Sequence, residues 1–257
     1  MPAQIACDGC RTGDAFPFPF TMAFQPIIDV SANAIWGYEA LVRGRDGSGA
    51  ADVLAAVSDE NRYRFDQACR VTAIELAGSK LPSGSTAKLS INFMPNAVYE
   101  PTACIRASLA AAARSRFDPG RLMFEFTENE RIVDTAHVGN IIETYRRIGF
   151  TTAIDDFGAG YAGLGLLASF QPDLIKLDME LIRGVQSSPA RQVIIKGIVE
   201  IARALKVTVL AEGVEDAAEL ATLHEAGIDL FQGYYFARPE LETFRVAADI
   251  APLRLAA

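Results

Sequence analysis

The chain has 257 residues, half of them hydrophobic, so it can bury a sizeable core as one large domain or two small ones. Its formal net charge of -8 argues against binding of nucleic-acid polymers or anionic membranes, because no basic field would attract their phosphates. The start shows no signal-peptide pattern and no apolar run approaches membrane-spanning length, so we expect a soluble, cytoplasmic protein.

The four cysteines favour a reduced, intracellular chain. Cys7 and Cys10 form a lone C-x-x-C without a second pair at zinc-site spacing, whereas Cys69 and Cys104 fall singly in predicted helices. We expect residues 1–19 to be an unstructured tail and Cys69 and Cys104 to be core thiols. A zinc or redox site in the tail is the less favoured alternative. No linker-like or repeated segment divides residues 20–250, which are predicted to form one domain.

Strands and helices alternate along this domain. The short turn at residues 31–33 makes the first two strands an antiparallel hairpin, and Gly78 and Gly227 are predicted to end helices. The strands are nearly all apolar, as expected when helices or a barrel core cover both faces. They are predicted at residues 22–29, 35–42, 87–93, 122–127, 151–155, 174–177, 207–211 and 228–231, with early helices at 51–58 and 63–77. Eight strands in this order indicate an α/β protein, a TIM-like (β/α)8 barrel with an antiparallel first strand.

Polar residues recur where these apolar strands end. In an α/β barrel the carboxyl ends of the strands converge on one mouth, where active sites lie. A single rim charge is commonly just solvated, but seven successive strands with one polar residue each indicate a functional site. These residues are Glu39, Asn92, Glu125, Asp155, Lys176, Glu212 and Gln232.

The residue types restrict the chemistry. Carboxylate and amide oxygens suit Mg²⁺, Mn²⁺ or Ca²⁺ rather than zinc or copper. The two histidines, His137 and His224, fall in predicted helices away from the strand ends, which excludes most histidine-based metal sites and a Ser-His-Asp triad. With Asp156 included, the acids exceed the needs of one ion. Two cations about 4 Å apart that share an aspartate would use them and would promote in-line attack on a phosphate.

Two basic residues accompany the acids. With cations bound, Lys176 would have a lowered pKa and could orient or deprotonate the attacking water, or neutralise the leaving oxygen. Its alternative is a structural lysine paired with Asp178 or another acid. Arg43, just beyond Glu39, offers a fork for a substrate phosphate, and its alternative is a solvated rim arginine.

The glycines after Asp156 allow a different interpretation. Gly158, Gly160 and Gly163 fit G-x-G-x-x-G between a strand and a helix, the pattern of dinucleotide-binding turns. Asp155 and Asp156 would then face the pyrophosphate, which such a turn keeps free of negative charge. A nucleotide-cofactor oxidoreductase is therefore the weaker alternative.

Eight short blocks in order resemble the EAL domain family of bacterial cyclic di-GMP phosphodiesterases, over nearly the whole chain from about residue 20 to 241. They are Phe24-Gln-Pro-Ile27, Glu39-Ala-Leu-Val-Arg-Gly44, Ile91-Asn92, Phe124-Glu-Phe-Thr-Glu128, Asp155-Asp-Phe-Gly158, Ile175-Lys-Leu-Asp178, Ala211-Glu-Gly-Val-Glu215 and Gln232-Gly-Tyr-Tyr-Phe236. The resemblance implies a homodimeric TIM-like barrel that hydrolyses cyclic di-GMP to linear pGpG with two divalent cations, Mg²⁺ or Mn²⁺, and that Ca²⁺ inhibits.

The resemblance also implies roles for single residues. Metal ligands would be Glu39, Asn92, Glu125, Asp155, Asp156 and Glu212. Lys176 would act on the nucleophilic water, with Glu39, Glu215 and Gln232 completing the catalytic set. Substrate contacts would come from Gln25, Leu41, Arg43 and Asp178. Glu128 would anchor the loop after Asp156, including Phe157 and Gly158, which would couple the dimer interface to the metals.

The chain departs from the family pattern at few positions. Ala162 and Gly163 stand where the family often has two serines, and Phe126 replaces a usual aliphatic residue. The added glycine could loosen the loop and lower basal activity. A second hypothesis is therefore a cyclic di-GMP receptor or protein-interaction module without turnover. Any regulator would act through the dimer or through a separate protein.

Overall fold

A closed barrel of eight strands forms the centre of the protein. The computed structural model describes residues 18–98, 100–127, 134–160 and 163–250, so the tail with Cys7 and Cys10 lies outside the described residues. The barrel strands are β1 Phe20–Asp29, β2 Ala34–Gly44, β3 Lys88–Asn92, β4 Leu122–Thr127, β5 Thr151–Phe157, β6 Leu174–Leu177, β7 Thr208–Ala211 and β8 Leu230–Phe231.

The pairing of these strands confirms the predicted fold. β2 through β8 pair in parallel in chain order, and β1 closes the barrel by pairing antiparallel with both β8 and β2. In the hairpin Gln25 lies opposite Glu39, and β3 and β4 place Asn92 beside Glu125. The parallel ladder therefore brings polar residues from neighbouring strands to one end of the barrel.

Nine helices are described between and around the strands. They are α1 Ala50–Ala55, α2 Arg62–Lys80, α3 Pro101–Cys104, α4 Arg106–Ser115, α5 Thr135–Ile148, α6 Gly163–Ser169, α7 Met179–Ile182, α8 Pro189–Leu205 and α9 Ala217–Glu225. Pro189 lies in the first turn of α8, where its missing N–H is not needed. No described helix has both the length and the apolar character needed to cross a membrane.

The prediction that Gly78 ends a helix is wrong, because α2 continues to Lys80. A Cβ at Gly78 would lie 2.5 Å from the Cβ of Ser115 on α4. The glycine is thus explained by the close approach of two helices rather than by a helix end. α1 ends three residues earlier than expected, and β5 extends two residues further, through Asp156 to Phe157.

A ninth strand, β9 Glu240–Leu241, was not predicted. It pairs antiparallel with β1 at Ala23 and Phe24. Beyond it, Phe244 stacks on Phe24 with ring centroids 4.0 Å apart and meets Tyr38 edge-on at 5.0 Å. Side chains alternate along β1, so Phe24 points away from the barrel interior that Gln25 enters. The segment after β8 therefore covers the outside of the hairpin, which has no crossover helix between its strands.

The barrel interior is apolar at one end and polar at the other. The apolar end is a buried cluster with Trp36 packed against it: Ile27, Met123, Ala153, Leu174, Leu210 and Leu230. The polar end, at the carboxyl ends of β2 to β8, contains the acids and the lysine described next. The apolar cluster fills one end of the barrel, so a ligand would enter at the other, polar end.

Candidate active site

Lys176 is fully buried in the barrel and lies among four carboxylates. Strand β6 points its side chain into the interior, and the carboxyl ends of four other strands supply the acids. Its Nζ lies 2.6 Å from Glu212 Oε1, 3.1 Å from Glu125 Oε2, 3.1 Å from Asp155 Oδ1 and 3.5 Å from Glu39 Oε2. Among the described residues, Lys176 is thus the one cationic group that forms ion pairs with these acids.

The acids form two overlapping groups that could each hold a metal ion. One group is Glu39, Glu125 and Asp155; the other is Asp155, Asp156 and Glu212. In each group the ligand atoms all lie within 4.8 Å of one another. Asp155 belongs to both, which is the arrangement that two cations sharing one aspartate would need.

An irregular backbone brings Asp156 to the site. Adjacent residues of a regular strand point to opposite faces. Asp156, however, has a φ of 54°, in the left-handed region that non-glycine residues rarely adopt, and the pairing of β5 with β6 shifts register between Ile154 and Phe157. Two consecutive carboxylates can therefore join one cluster. Strain of this kind is typical of functional sites.

Glu125 is held by hydrogen bonds from β3. Asn92 Nδ2 donates to Glu125 Oε1 at 3.1 Å and to Glu39 Oε1 at 3.3 Å. The hydroxyl of buried Ser90 donates to Glu125 Oε2. Ser90 was missed by the sequence analysis, although it lies two residues before Asn92 and therefore on the same face of the strand. Because Asn92 Nδ2 faces the acids, its amide oxygen would need to turn toward them to ligate a cation.

Burial and crowding raise the proton affinities of the acids. Burial first, then the charges of Glu39 and Asp155, raise the pKa of Glu125 well above its usual range despite Lys176. Burial and the charge of Asp155 do the same to the pKa of Glu212. Burial, together with Asp155 and Asp178, raises the pKa of Asp156 to about 6. Burial is the largest cause of each shift, and the charges of neighbouring carboxylates add to it.

The charge state of Lys176 differs from that expected for a cation-loaded site. Burial alone would lower its pKa, but Asp155, Glu125, Glu212 and Glu39 together outweigh burial and raise the pKa well above the ordinary lysine value. In the protein by itself Lys176 is therefore an ammonium. The lowered pKa expected from the sequence requires the additional positive charge of bound cations.

The donor set fits divalent cations. It contains five carboxylates and one amide, all hard oxygen donors on the barrel mouth. One ammonium lies among four carboxylates, so further positive charge would stabilise the cluster. The residues that would hold it are Glu39, Asn92, Glu125, Asp155, Asp156 and Glu212.

Comparison with known proteins assigns a family to this site. Residues 19–239 match the EAL domain. The chain belongs to the EAL domain family. This membership excludes the dinucleotide-binding interpretation of the glycines after Asp156 and fits the placement of Asp155 and Asp156 in the acidic cluster.

Several known proteins and solved structures resemble the chain over most of its length. A c-di-GMP-bound standalone versatile EAL protein from Vibrio cholerae O395 has a TM-score of 0.86 and 50% identity, covering 93% of this chain and 98% of that one. The manganese/cy-diGMP complex of Klebsiella pneumoniae BlrP1 has a TM-score of 0.81 and 37% identity, covering 90% and 59%. The blue light- and temperature-regulated antirepressor BluF of Escherichia coli (strain K12) is 35% identical over 219 residues, 85% of this chain and 54% of BluF. The probable cyclic di-GMP phosphodiesterase PdeG of the same strain is 27% identical over 248 residues, 93% of this chain and 47% of PdeG. The chain spans about half the length of these two curated relatives.

Two glutamines of the EAL domain adjoin the acids. Gln232 Nε2 donates to Glu39 Oε2 at 2.6 Å and to Gln25 Oε1 at 3.0 Å. Both glutamines are buried. The structure thus places Gln232 against the candidate ligand Glu39, as a supporting residue would be, and places Gln25 behind Gln232.

Four expected site residues of the EAL domain have other contacts. Asp178 accepts from Glu180 N at 2.8 Å and caps α7, although its charge still acts on Asp156. Glu215 is exposed and pairs with Arg183 at 2.6 Å, so it supports the α7 region rather than touching the acids. Arg43 Nη1 donates to Val42 O at 2.7 Å. Leu41 is half-buried on β2 and pairs with Ala23.

The loop expected to couple the site to a dimer is described only in part. Phe157 is buried at the end of β5, where its carbonyl accepts from Asp178 N at 3.1 Å, and Gly158 is exposed with a φ of 98°. Glu128 lies outside the described residues. His137 contacts Val98 O at 2.6 Å and His224 contacts Ile228 O at 3.1 Å, so both imidazoles have partners away from the acids.

Proposed function

We propose that this chain hydrolyses cyclic di-GMP to linear pGpG with two divalent cations, Mg²⁺ or Mn²⁺. The observation that carries the proposal is the pair of carboxylate groups sharing Asp155 around a buried lysine at the barrel mouth. The V. cholerae structure named as c-di-GMP bound and the relative named as a probable cyclic di-GMP phosphodiesterase support the choice of substrate.

When bound, two such cations supply activation of a water molecule and stabilisation of charge on the phosphate oxygens. The protein's own contribution is orientation. Asn92 and Ser90 hold Glu125, Gln232 holds Glu39, and the strained backbone of Asp156 directs its carboxylate to the same group. Lys176, fixed by its acidic neighbours, would orient the attacking water or donate a proton toward the leaving oxygen.

An exposed aromatic ring in the loop that follows Gln232 supports a nucleotide substrate. Tyr234 is 50% exposed and lies two residues after Gln232. The Arg238 guanidinium lies over its ring at 4.1 Å from the centroid. Such a pair offers a flat, polarisable face on which a nucleobase can stack, at a cost to binding of about 1–3 kcal/mol if the ring is removed.

An apolar stripe on α8 supports a homodimer. Val193 is 71% exposed and Ile194 50%, and Ile201 and Leu205 follow along the same helix with about two-fifths of each side chain exposed. Contiguous apolar surface of this kind is typical of interaction sites. Light scattering should give a dimer mass, and an Ile194→Asp variant should shift the mass toward the monomer. An unchanged dimer in that variant would place the interface elsewhere.

Chromatography of cyclic di-GMP after incubation with the protein tests the activity. We expect pGpG with Mg²⁺ or Mn²⁺, none with EDTA, and inhibition by Ca²⁺. Glu39→Ala should abolish product formation without unfolding the protein, because Lys176 keeps three other carboxylate partners in Glu125, Asp155 and Glu212. Hydrolysis retained by this variant would contradict the two-cation assignment.

A second candidate is a cyclic di-GMP receptor that acts by binding a partner protein. The name of BluF, an antirepressor that resembles this chain, favours it. Cyclic di-GMP would then raise the melting temperature by mass action without any product appearing in the presence of cations. Formation of pGpG would instead identify the protein as an enzyme.

A further inference from the structure

Two buried amides connect Glu39 to the loop after β8. Gln25 Nε2 donates to the backbone oxygen of Ala237 at 3.0 Å. Gln25 Oε1 accepts from Gln232 Nε2 at 3.0 Å, and Gln232 Nε2 also donates to Glu39 Oε2 at 2.6 Å. Gln232 is 3% exposed and Gln25 7%. The order of contacts is therefore Ala237 oxygen, Gln25, Gln232 and Glu39, and we call this set the amide relay.

The chemistry of its two ends fixes the direction of the relay. A backbone carbonyl can only accept, so the NH₂ group of Gln25 must face Ala237 and its oxygen must face Gln232. An ionised carboxylate can also only accept, so the NH₂ group of Gln232 must face Glu39. Both ends demand the same orientation of both amides. Turning either amide over would place oxygen against oxygen inside the barrel, which is costly where water is excluded.

A rigid loop holds the first member of the relay. Within residues 233–237, Phe236 N and Ala237 N both donate to Gly233 O, and Tyr235 N donates to Val214 O at 3.0 Å. Gly233 packs so closely on Val214 that a Cβ would lie 2.1 Å from the Val214 oxygen. The Ala237 carbonyl is therefore a fixed reference point for Gln25.

Both polar atoms of Gln25 have a partner inside the protein. Its Nε2 is bonded to Ala237 and its Oε1 to Gln232. Gln232 Oε1, in contrast, is buried and has no hydrogen-bond partner among the described residues. This oxygen can accept a hydrogen bond from a water molecule or another donor beside Glu39.

We propose that Gln25 is a positioning residue that acts on Glu39 through Gln232. This inference rests on the proposed function, because the purpose of fixing Glu39 is to hold a cation. Outer hydrogen bonds of this type restrict the orientation of a ligand, and their loss commonly costs 10- to 100-fold in metal affinity or activity.

The test measures Mn²⁺ binding by calorimetry and steady-state kinetics with cyclic di-GMP for Gln25→Met. This change keeps the volume of the side chain and removes both hydrogen bonds. We expect the Mn²⁺ dissociation constant to rise about tenfold or more and kcat to fall, with KM unchanged. Gln171→Met is the matched control, because Gln171 also donates to a backbone oxygen, that of Leu167 at 2.7 Å, before β6 at the other end of the barrel. It should change none of these values.

A double variant separates the relay from a direct role of Gln25. In a Gln232→Met background the relay is already broken, so Gln25→Met should cause no further loss of Mn²⁺ affinity. A raised KM with an unchanged Mn²⁺ dissociation constant would overturn the proposal, as would a Gln25→Met effect that persists in full in the Gln232→Met background. If Gln25→Met does not fold, Gln232→Met alone must show the loss of Mn²⁺ affinity. The calorimetry measures Mn²⁺ binding without turnover. If the parent protein does not hydrolyse cyclic di-GMP, the proposed function is wrong, and the Mn²⁺ dissociation constants of the variants still test the relay.

Discussion

Replacing Lys176 by methionine should destabilise the cation-free protein and abolish turnover. The change keeps a long side chain in a fully buried position but removes the ammonium that contacts Glu39, Glu125, Asp155 and Glu212. Those acids then face one another without a counter-charge. They must either remain ionised and repel or take up protons.

The magnitude follows from the burial of the group. Removing one partner of a buried ion pair costs about 3–5 kcal/mol, because the remaining charge is left unpaired. In a protein of this size each kcal/mol lowers Tm by about 2–4 °C, so we expect a decrease of roughly 6–20 °C in EDTA. Saturating Mn²⁺ should reduce the difference from the parent protein, since bound cations would replace the missing positive charge.

Thermal unfolding followed by circular dichroism measures this effect, with and without Mn²⁺. Arg183→Met is the control, because it breaks an ion pair that is nearly half exposed, with Glu215, and should cost less than about 1 kcal/mol. Equal Tm values for Lys176→Met and the parent in EDTA would refute the view that the ammonium balances the acids. A Tm difference that Mn²⁺ leaves unchanged would refute cation binding at the same acids.

Three further predictions concern pH, substrate and thiol chemistry. The pKa of Asp156 is raised to about 6 from an ordinary 3.8, so the folded state binds this proton more tightly than the unfolded state does. The free energy of unfolding in EDTA should therefore fall as the pH rises from about 3.8 to about 6. Urea titrations should show this fall, and Asp156→Asn should make it smaller. Tyr234→Ala should raise KM for cyclic di-GMP roughly 5- to 150-fold while hydrolysis of bis(p-nitrophenyl) phosphate, which has no base, stays unchanged; an equal loss with both substrates would contradict stacking. Burial raises the pKa of the Cys69 thiol far above its ordinary value, so iodoacetamide should label Cys69 only after unfolding, as mass spectrometry can check.

The sequence by itself determined the strand order, the barrel and the candidate ligands. The predicted strands are apolar runs of four to eight residues, and seven of them carry a polar residue near the end. In a barrel those ends meet at one mouth, so Glu39, Glu125, Asp155, Lys176 and Glu212 were expected together. The extent of α2 beyond Gly78 was not predictable, because it depends on the approach of Ser115 from another helix.

Only the tertiary structure decided how these residues work as a set. That Asp155 belongs to both carboxylate groups, and that Asp156 turns back to join one of them, depends on a left-handed residue and a register shift that composition does not encode. The direction of the relay through Gln25 depends on the Ala237 carbonyl, 212 residues away in the chain. The physical reason is the same in each case: periodicity along the chain fixes which face a residue occupies, whereas distances between side chains on different strands, and hence their charges and hydrogen bonds, exist only once the barrel has closed.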